Sequence, residues 1–311
     1  MDAVEVISTP DAGQQAAVGA VLERAARADG KHPVSEQGRL ALRGPRPGVR
    51  HLLAYDGAGA LVGYAQLDAE GTAELVVDPV RRAQGHGRTL ASAVSEAGAQ
   101  QVWAHGGHPA ARRLAEEFGL ELSRELRQLR RSLPAGVDPV LPPGVTLRTF
   151  VPGQDEQAWL ALNAEAFAHH PEQGSWTRRD LDERMAEPWF DPAGFFLAER
   201  DGRLVGFHWT KTEGGLGEAP RSGSDKGGGG RRVGEVYVVG VAPQEQGSGL
   251  GRALTATGLR YLAEARGLDT VLLYVDADNP AALRVYEKLG FTVHEVDLMY
   301  RRRPAGDAPP R

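Results

Sequence analysis

Two short glycine segments are the first residues here whose types and spacing could do chemistry: Arg82-x-x-Gly85-x-Gly87 and Gln246-x-x-Gly249-x-Gly251. Each follows an apolar strand-like run and opens a helix-like one, so several backbone N–H groups would be left uncovered at a helix N-terminus. Such a turn binds an anion, because a missing Cβ lets phosphate oxygens approach and the helix dipole adds attraction. Neither copy carries the Gly-Lys-Ser/Thr of a nucleoside-triphosphate loop, and both lack the third glycine of a dinucleotide fingerprint. The chain has no Cys, which removes disulfides, thiol nucleophiles and Cys-based zinc sites together. The close histidine pairs, His105/His108 and His169/His170, have no carboxylate company at ligand spacing, so no metal is expected.

The elements that must position these segments read as one order used twice. In the first half, strand-like VEVIST precedes a helical 11–29, strands at 51–56, 60–68 and 72–78, a helix at 85–98, the strand QVWAHG and a helix at 109–118. In the second half, VTLRTFV leads into helices 155–168 and 177–187, strands 195–201, 204–212 and 235–241, helix 249–266, strand 270–276, helix 280–289 and a closing strand at 291–300. The run from Pro79 to Arg88 matches that from Pro243 to Arg252 at a constant offset of 164, the distance from Gly85 to Gly249. Such an internal repeat implies duplication.

Length and composition agree. At roughly 100–200 residues per domain, 311 residues make two. Residues 134–144, with four prolines, read as an extended linker, which sets expected domains at 1–133 and 145–303. The stretch 214–232 holds eight glycines and reads as a mobile loop; the tail 304–311 reads as disordered. With 36 Lys+Arg against 41 Asp+Glu the net charge is −5, which argues against nucleic-acid binding. No apolar run approaches the roughly 18 residues of a membrane span, and the acidic N-terminus does not read as a signal peptide, so a cytoplasmic protein is expected. A monomer is expected as well.

The spelling R/Q-x-x-G-x-G/A resembles the acyl-CoA pyrophosphate loop of the GCN5-related N-acetyltransferase (GNAT) superfamily. The order of elements is similar to that superfamily's in both halves, and Asn279-x-x-Ala282-x-x-x-Tyr286-x-x-x-Gly290-Phe291 is similar to its N-x-x-A-x-x-x-Y-x-x-x-G-F signature. The resemblance implies an α/β (α+β) chain of two tandem GNAT domains, each a mixed, mostly antiparallel sheet flanked by helices. It also implies acetyl-CoA as donor. In the second half the cofactor would lie along Val239, Gly240 and Val241 and over Gln246, Gly247, Ser248, Gly249, Leu250, Gly251 and Arg252, with Asn279 and Arg284 nearby. The first half would use Leu75, Val76 and Val77 with Ala83, Gln84, Gly85, His86, Gly87 and Arg88.

Within that frame, acetyl transfer to an amine needs a base for the ammonium and an acid for the departing thiolate. Glu235 is the expected base, on a strand where period two places Glu235, Tyr237, Val239 and Val241 on one face. Tyr286 is the expected acid. By the offset of 164, Glu235 corresponds to Gly71, and the helix alignment sets Ala115 at Tyr286 and His108 at Asn279, so the first half is expected to be catalytically inactive. Four further strings, around residues 163–174, 206–211, 234–241 and 273–276, are similar to a tandem member of the superfamily that acetylates the cysteinyl amine of a thiol pseudodisaccharide. That likeness implies substrate contacts at Glu36, Glu172, Lys211, Glu235 and Tyr274, a carboxylate-rich lining suited to hydroxyls and one ammonium. Another small-amine acceptor, or a non-catalytic acetyl-CoA-binding regulator, are the alternatives.

Overall fold

Alternating apolar residues build the strands of both halves, and a computed structural model describes residues 3–212 and 233–303. The stretch 214–232 and the tail 304–311 lie outside the described residues. The chain divides into two units: Met1–Arg127 with Asp276–Asp278 and Glu295–Arg311, and Gln128–Val275 with Asn279–His294. The chain leaves the first unit after Arg127, rejoins it briefly at Asp276–Asp278 and returns to it at Glu295.

Unit 1 begins with β1 (Ala3–Ile7), α1 (Ala12–Asp29), α2 (Glu36–Leu42), β2 (Arg50–Tyr55), β3 (Leu61–Leu67) and β4 (Thr72–Val77). It continues with α3 (His86–Glu96), β5 (Gln101–Ala104), α4 (Pro109–Glu117) and the first part of β6 (Leu120–Ser132). Strands β1 to β4 pair antiparallel in order and β5 joins β4 in parallel. Neighbouring residues of β2 serve opposite faces: Leu53 packs with Val18, Val21 and Tyr64 under α1, Leu52 with Leu90 and Val94 under α3. Asp11 caps α1 by accepting from the Gln14 N–H at 2.8 Å, and Gly30, at φ 71°, ends it.

Unit 2 contains β7 (Val145–Thr149), α5 (Glu156–Ala166), α6 (Pro171–Gly174), α7 (Arg178–Met185), β8 (Phe195–Arg200) and β9 (Arg203–Thr212). After these come β10 (Val233–Val241), α8 (Leu250–Arg260), β11 (Thr270–Asp276), α9 (Pro280–Lys288) and the start of β12 (Thr292–Arg302). Strands β7 to β10 pair antiparallel in order, and β11 joins β10 in parallel. One face of this sheet carries an aromatic core in which Phe195 stacks on Trp209 at 4.5 Å and Trp159 meets both edge-on. Each such ring removes roughly 150–250 Å² from water, worth about 4–6 kcal/mol. The other face packs Leu250 and Leu254 of α8.

The tandem α/β architecture thus stands as expected, with three differences. Strand β6 and helix α2 are implied by the superfamily order but are not legible from the residues of the first half; β6 mixes Leu with Arg and Glu at irregular spacing, which hides its period. The last strand does not simply close the second half, because its residues Leu298–Arg301 pair antiparallel with β5 in unit 1. Segment 134–144 is irregular, as its prolines require, but it belongs to unit 2, and Ala135 and Val137 pack on the core around Leu259 and Val271.

Candidate active site

In unit 2 the parallel ladder of β10 and β11 runs only from Val233 opposite Thr270 to Val236 opposite Leu273. Both strands continue, so they part at Tyr237 and Tyr274. The cause on β10 is a bulge between Val236 and Val238 in its pairing with β9, where Tyr237 is the additional residue. Val236 and Val239 pack on the α8 side, whereas Tyr237 and Val238 pack in the aromatic core. This corrects the expectation of one shared face: Glu235 and Tyr237 lie together, and the bulge turns Val239 and Val241 to the opposite face. From Tyr237 to Val241, β9 is the only strand partner of β10 among the described residues, so one edge of backbone N–H and C=O groups is open to a ligand.

The open edge leads to the glycine segment. Gly249, at φ 91°, is the N-cap of α8 and supplies no side-chain cap; the Leu250 N–H donates to the Ser248 hydroxyl at 3.3 Å, while those of Gly251 and Arg252 have no side-chain partner among the described residues. Gly251 is helical, and a Cβ there would meet only the Val241 side chain at 3.6 Å, an ordinary contact. The protein's own packing therefore does not require glycine at 251, though glycine costs a helix about 1 kcal/mol. Close approach of an anionic ligand to the backbone would require it, which makes the segment a candidate anion-binding turn. Arg252 and Arg284 are exposed and form no ion pair among the described residues, leaving two cations for phosphates. Asn279 caps α9, its side-chain oxygen accepting from the Ala282 N–H at 3.0 Å.

On the aromatic-core face, Glu235 pairs across the strands with Lys211. The Lys211 ammonium stands 4.7 Å above the Trp189 ring and 5.0 Å above the Tyr237 ring. Tyr274 is 38% exposed, and its hydroxyl accepts from the Gln128 amide at 2.8 Å. Glu172 is exposed on the short α6, a turn fixed by two features. Buried Asn163 donates to the Gln173 carbonyl at 2.7 Å, and a Cβ on Gly174 would lie 2.5 Å from the Phe167 carbonyl, so only glycine fits. Glu36 belongs to unit 1, where it opens α2 behind the N-cap Ser35. Tyr286 packs on the α8 side with Val236 and Val239, 5.8 Å from the Phe291 ring. Burial pushes its phenol up to about 12. Base and acid candidates thus sit on opposite faces of β10 at the fork.

Unit 1 repeats the fork without the candidate acid and base. Strand β4 pairs with β5 only from Thr72 to Glu74, leaving the Leu75–Val77 edge open, and a cavity of about 800 Å³ lies along it, lined by Leu75, Val77, Gly85, Gly87, Trp103 and His105 among others. The register corrects one equivalence. Thr72 lies opposite Gln101 as Glu235 lies opposite Leu272, so the counterpart of Glu235 is Thr72, one residue beyond Gly71, because β4 lacks the bulge. Ala115 is buried in α4, and His108 caps that helix as Asn279 caps α9. The loop arginines are engaged internally: Arg82 forks onto Asp29 at 2.7 Å and Arg88 onto Glu117 at 2.5 and 3.0 Å.

Two groups escaped sequence reasoning. Arg184, buried at 3% exposure, stacks on Trp176 and donates to the Tyr237 hydroxyl at 2.8 Å; its place three residues after buried Leu181 was the available signal. In unit 1, His105 bridges Glu74 at 2.7 Å and Asp297 at 3.2 Å, and Lys31 binds Asp297 and Glu295. Burial alone would lower the His105 pKa, but hydrogen bonds and charge from Asp297 and Glu74 outweigh it and raise it to about 9. Nothing in the sequence joins residues so far apart. His208, by contrast, is a core histidine, lowered by burial to about 4 and bonded to the Leu254 carbonyl at 2.8 Å.

Comparison with known proteins adds an independent line. Residues 158–291 match the Acetyltransferase (GNAT) family. The chain is 60% identical to mycothiol acetyltransferase of Streptomyces coelicolor, covering 96% of this chain and 94% of that protein, and 56% identical to mycothiol acetyltransferase of Thermobispora bispora, covering 96% and 99%. Among solved structures, a tandem GNAT protein from the clavulanic acid biosynthesis pathway superposes with a TM-score of 0.68 at 20% identity, covering 96% of this chain and 98% of that one. A GCN5-related N-acetyltransferase from Sphaerobacter thermophilus gives 0.64 at 24%, covering 98% of each. At such identities these two likenesses speak for the fold alone.

Proposed function

The chain belongs to the mycothiol acetyltransferases of the GNAT family, and from that membership we propose that it moves an acetyl group from acetyl-CoA to the cysteinyl amine of cysteinyl glucosaminyl-inositol, the last step of mycothiol synthesis. The fork of β10 and β11 carries this reading. Its open edge from Tyr237 to Val241 offers backbone N–H groups to the pantetheine arm and to the thioester carbonyl, which they polarise as negative charge develops on oxygen. The N–H groups of Gly251 and Arg252 at the start of α8 receive the pyrophosphate, with the Arg252 and Arg284 side chains beside it. Glu235 takes the proton of the attacking amine, the new C–N bond forms, and the C–S bond breaks as Tyr286 donates to the sulfur. Lys211, Glu172 and Tyr274 present polar groups to the hydroxyls of the acceptor.

Catalysis is assigned to unit 2. In unit 1 the positions of base and acid hold Thr72 and Ala115, while the cavity along Leu75–Val77 retains room for acetyl-CoA that is not turned over. A thiol-release assay with acetyl-CoA and the cysteinyl acceptor tests both statements. An aspartate at the unit 2 phosphate turn, Gly249→Asp, should abolish release through like-charge repulsion, whereas Gly85→Asp should largely spare it. Acetyl-CoA binding without release on the cysteinyl acceptor would overturn the substrate assignment, and equal loss in both variants would overturn the division of labour.

A further inference from the structure

We propose that Arg184 is a positioning residue that sets Lys211 beside Glu235 through the Tyr237 side chain; this rests on the acetyl-transfer reading of the Glu235 site. Helix α7 carries three arginines. Arg178 and Arg179 point outward and pair with Asp182 and Glu183 one turn on, at 2.8 and 2.9 Å. Arg184 turns inward and is buried at 3% exposure. A buried guanidinium carries a desolvation cost that an apolar residue of similar volume would avoid, so core filling alone does not explain it. Its donors are directed instead: Nε to the Tyr237 hydroxyl at 2.8 Å and Nη1 to the Asp180 carbonyl at 2.9 Å, with its plane 3.8 Å from the Trp176 ring centre.

Tyr237 is the residue to hold. It is the additional residue of the bulge at which β10 departs from β11, and its ring lies 4.9 Å from Trp189 and 5.2 Å from Trp209. The faces of Tyr237 and Trp189 together seat the Lys211 ammonium, attracted by the ring quadrupoles. Lys211 in turn is the cross-strand neighbour of Glu235. Anchoring the phenol at its outer end fixes the ring torsions, and with them one of the two walls under the ammonium. Without Arg184 the ring can turn and Lys211 loses its seat. The acceptor site would suffer, while the donor groove, built from the open edge and the glycine segment, would not.

Two measurements test this. In steady-state kinetics, Arg184→Met and Tyr237→Phe should each raise KM for the cysteinyl acceptor about ten-fold with acetyl-CoA KM within about two-fold of wild type, and the double variant should be no worse than Arg184→Met. Tyr237→Phe removes one oxygen and keeps the ring, so it carries the test if Arg184→Met fails to fold. The second measurement needs no acceptor. Limiting acetylation by an N-hydroxysuccinimide ester, read by peptide mass spectrometry, is clean because the chain has only four lysines, Lys31, Lys211, Lys226 and Lys288. Labelling of Lys211 relative to exposed Lys288 should rise at least about three-fold in either variant, as a released side chain gains access. A risen ratio in a protein that does not turn over the acceptor would sink the substrate reading and keep the positioning role. An unchanged ratio, or equal rises in both KM values, would overturn it.

Discussion

Replacing Tyr286 with Phe removes the proposed acid while keeping the ring that packs against Phe291 and Val236. The hydroxyl makes no hydrogen bond to the described residues, so its loss leaves no partner stranded, and stability should change by less than about 1 kcal/mol. The catalytic effect follows from the phenol's environment. Burial holds it at about 12, whereas an ordinary thiol titrates near 8.5, so full transfer of the proton to a thiolate is uphill by roughly 3.5 units, about 5 kcal/mol. In the proposed mechanism Tyr286 therefore acts on the leaving sulfur chiefly as a hydrogen-bond donor. A hydrogen bond to a developing charge is worth about 1.5–3 kcal/mol, which corresponds to a fall in kcat of about ten- to hundred-fold. Thiol release at saturating substrates, followed from pH 6 to 10 on wild type and Tyr286→Phe, measures it, with pH bounds set around the reference values for His and Tyr. The wild type should show no alkaline loss due to this phenol, which remains protonated throughout. A kcat within about two-fold of wild type would refute the assignment, and an alkaline limb near pH 9 that disappears in the variant would refute the burial argument.

Other consequences are open to measurement. Glu235→Gln keeps the shape of the side chain but cannot take the amine proton, so kcat/KM should fall about a hundred- to ten-thousand-fold with the thermal midpoint unchanged; a smaller fall would move the base to another group. The His105 network makes unit 1 pH-sensitive in a defined direction. Its folded pKa is raised to about 9 from an ordinary 6.5, so its stabilisation is fully present below 6.5 and is lost as pH rises through 9. The shift corresponds to about 3 kcal/mol as an upper figure. Thermal melts between pH 7 and 10 should show this decline in the wild type and lose it in His105→Gln, which should melt lower at neutral pH; parallel curves would place the alkaline loss elsewhere.

Much of this protein was legible along the chain because the informative signals are local. Period-two apolar runs and the glycine turns laid out most elements of both halves, and the strings around Gly249, Asn279 and Glu235 carried the family. Capping shows the same locality, since Asn279 and His108 each bond an N–H two or three residues ahead. What escaped depends on long-range pairing. The bulge at Tyr237 exists only in register with β9, and it decides which residues share the face of Glu235 and that Thr72, not Gly71, is its counterpart. Arg184 acquires meaning only when α7 folds over β10, and the Lys31–Asp297 pair joins residues from opposite ends of the sequence. The last strand returns to unit 1 because its hydrogen-bonding edge is satisfied by β5, a choice that no window of sequence around it contains. Sequence therefore determined the candidate site residues and the repeat, through spacing and backbone preference. Tertiary structure decided facing, register and burial, since each is a relation between segments that meet only in the folded chain.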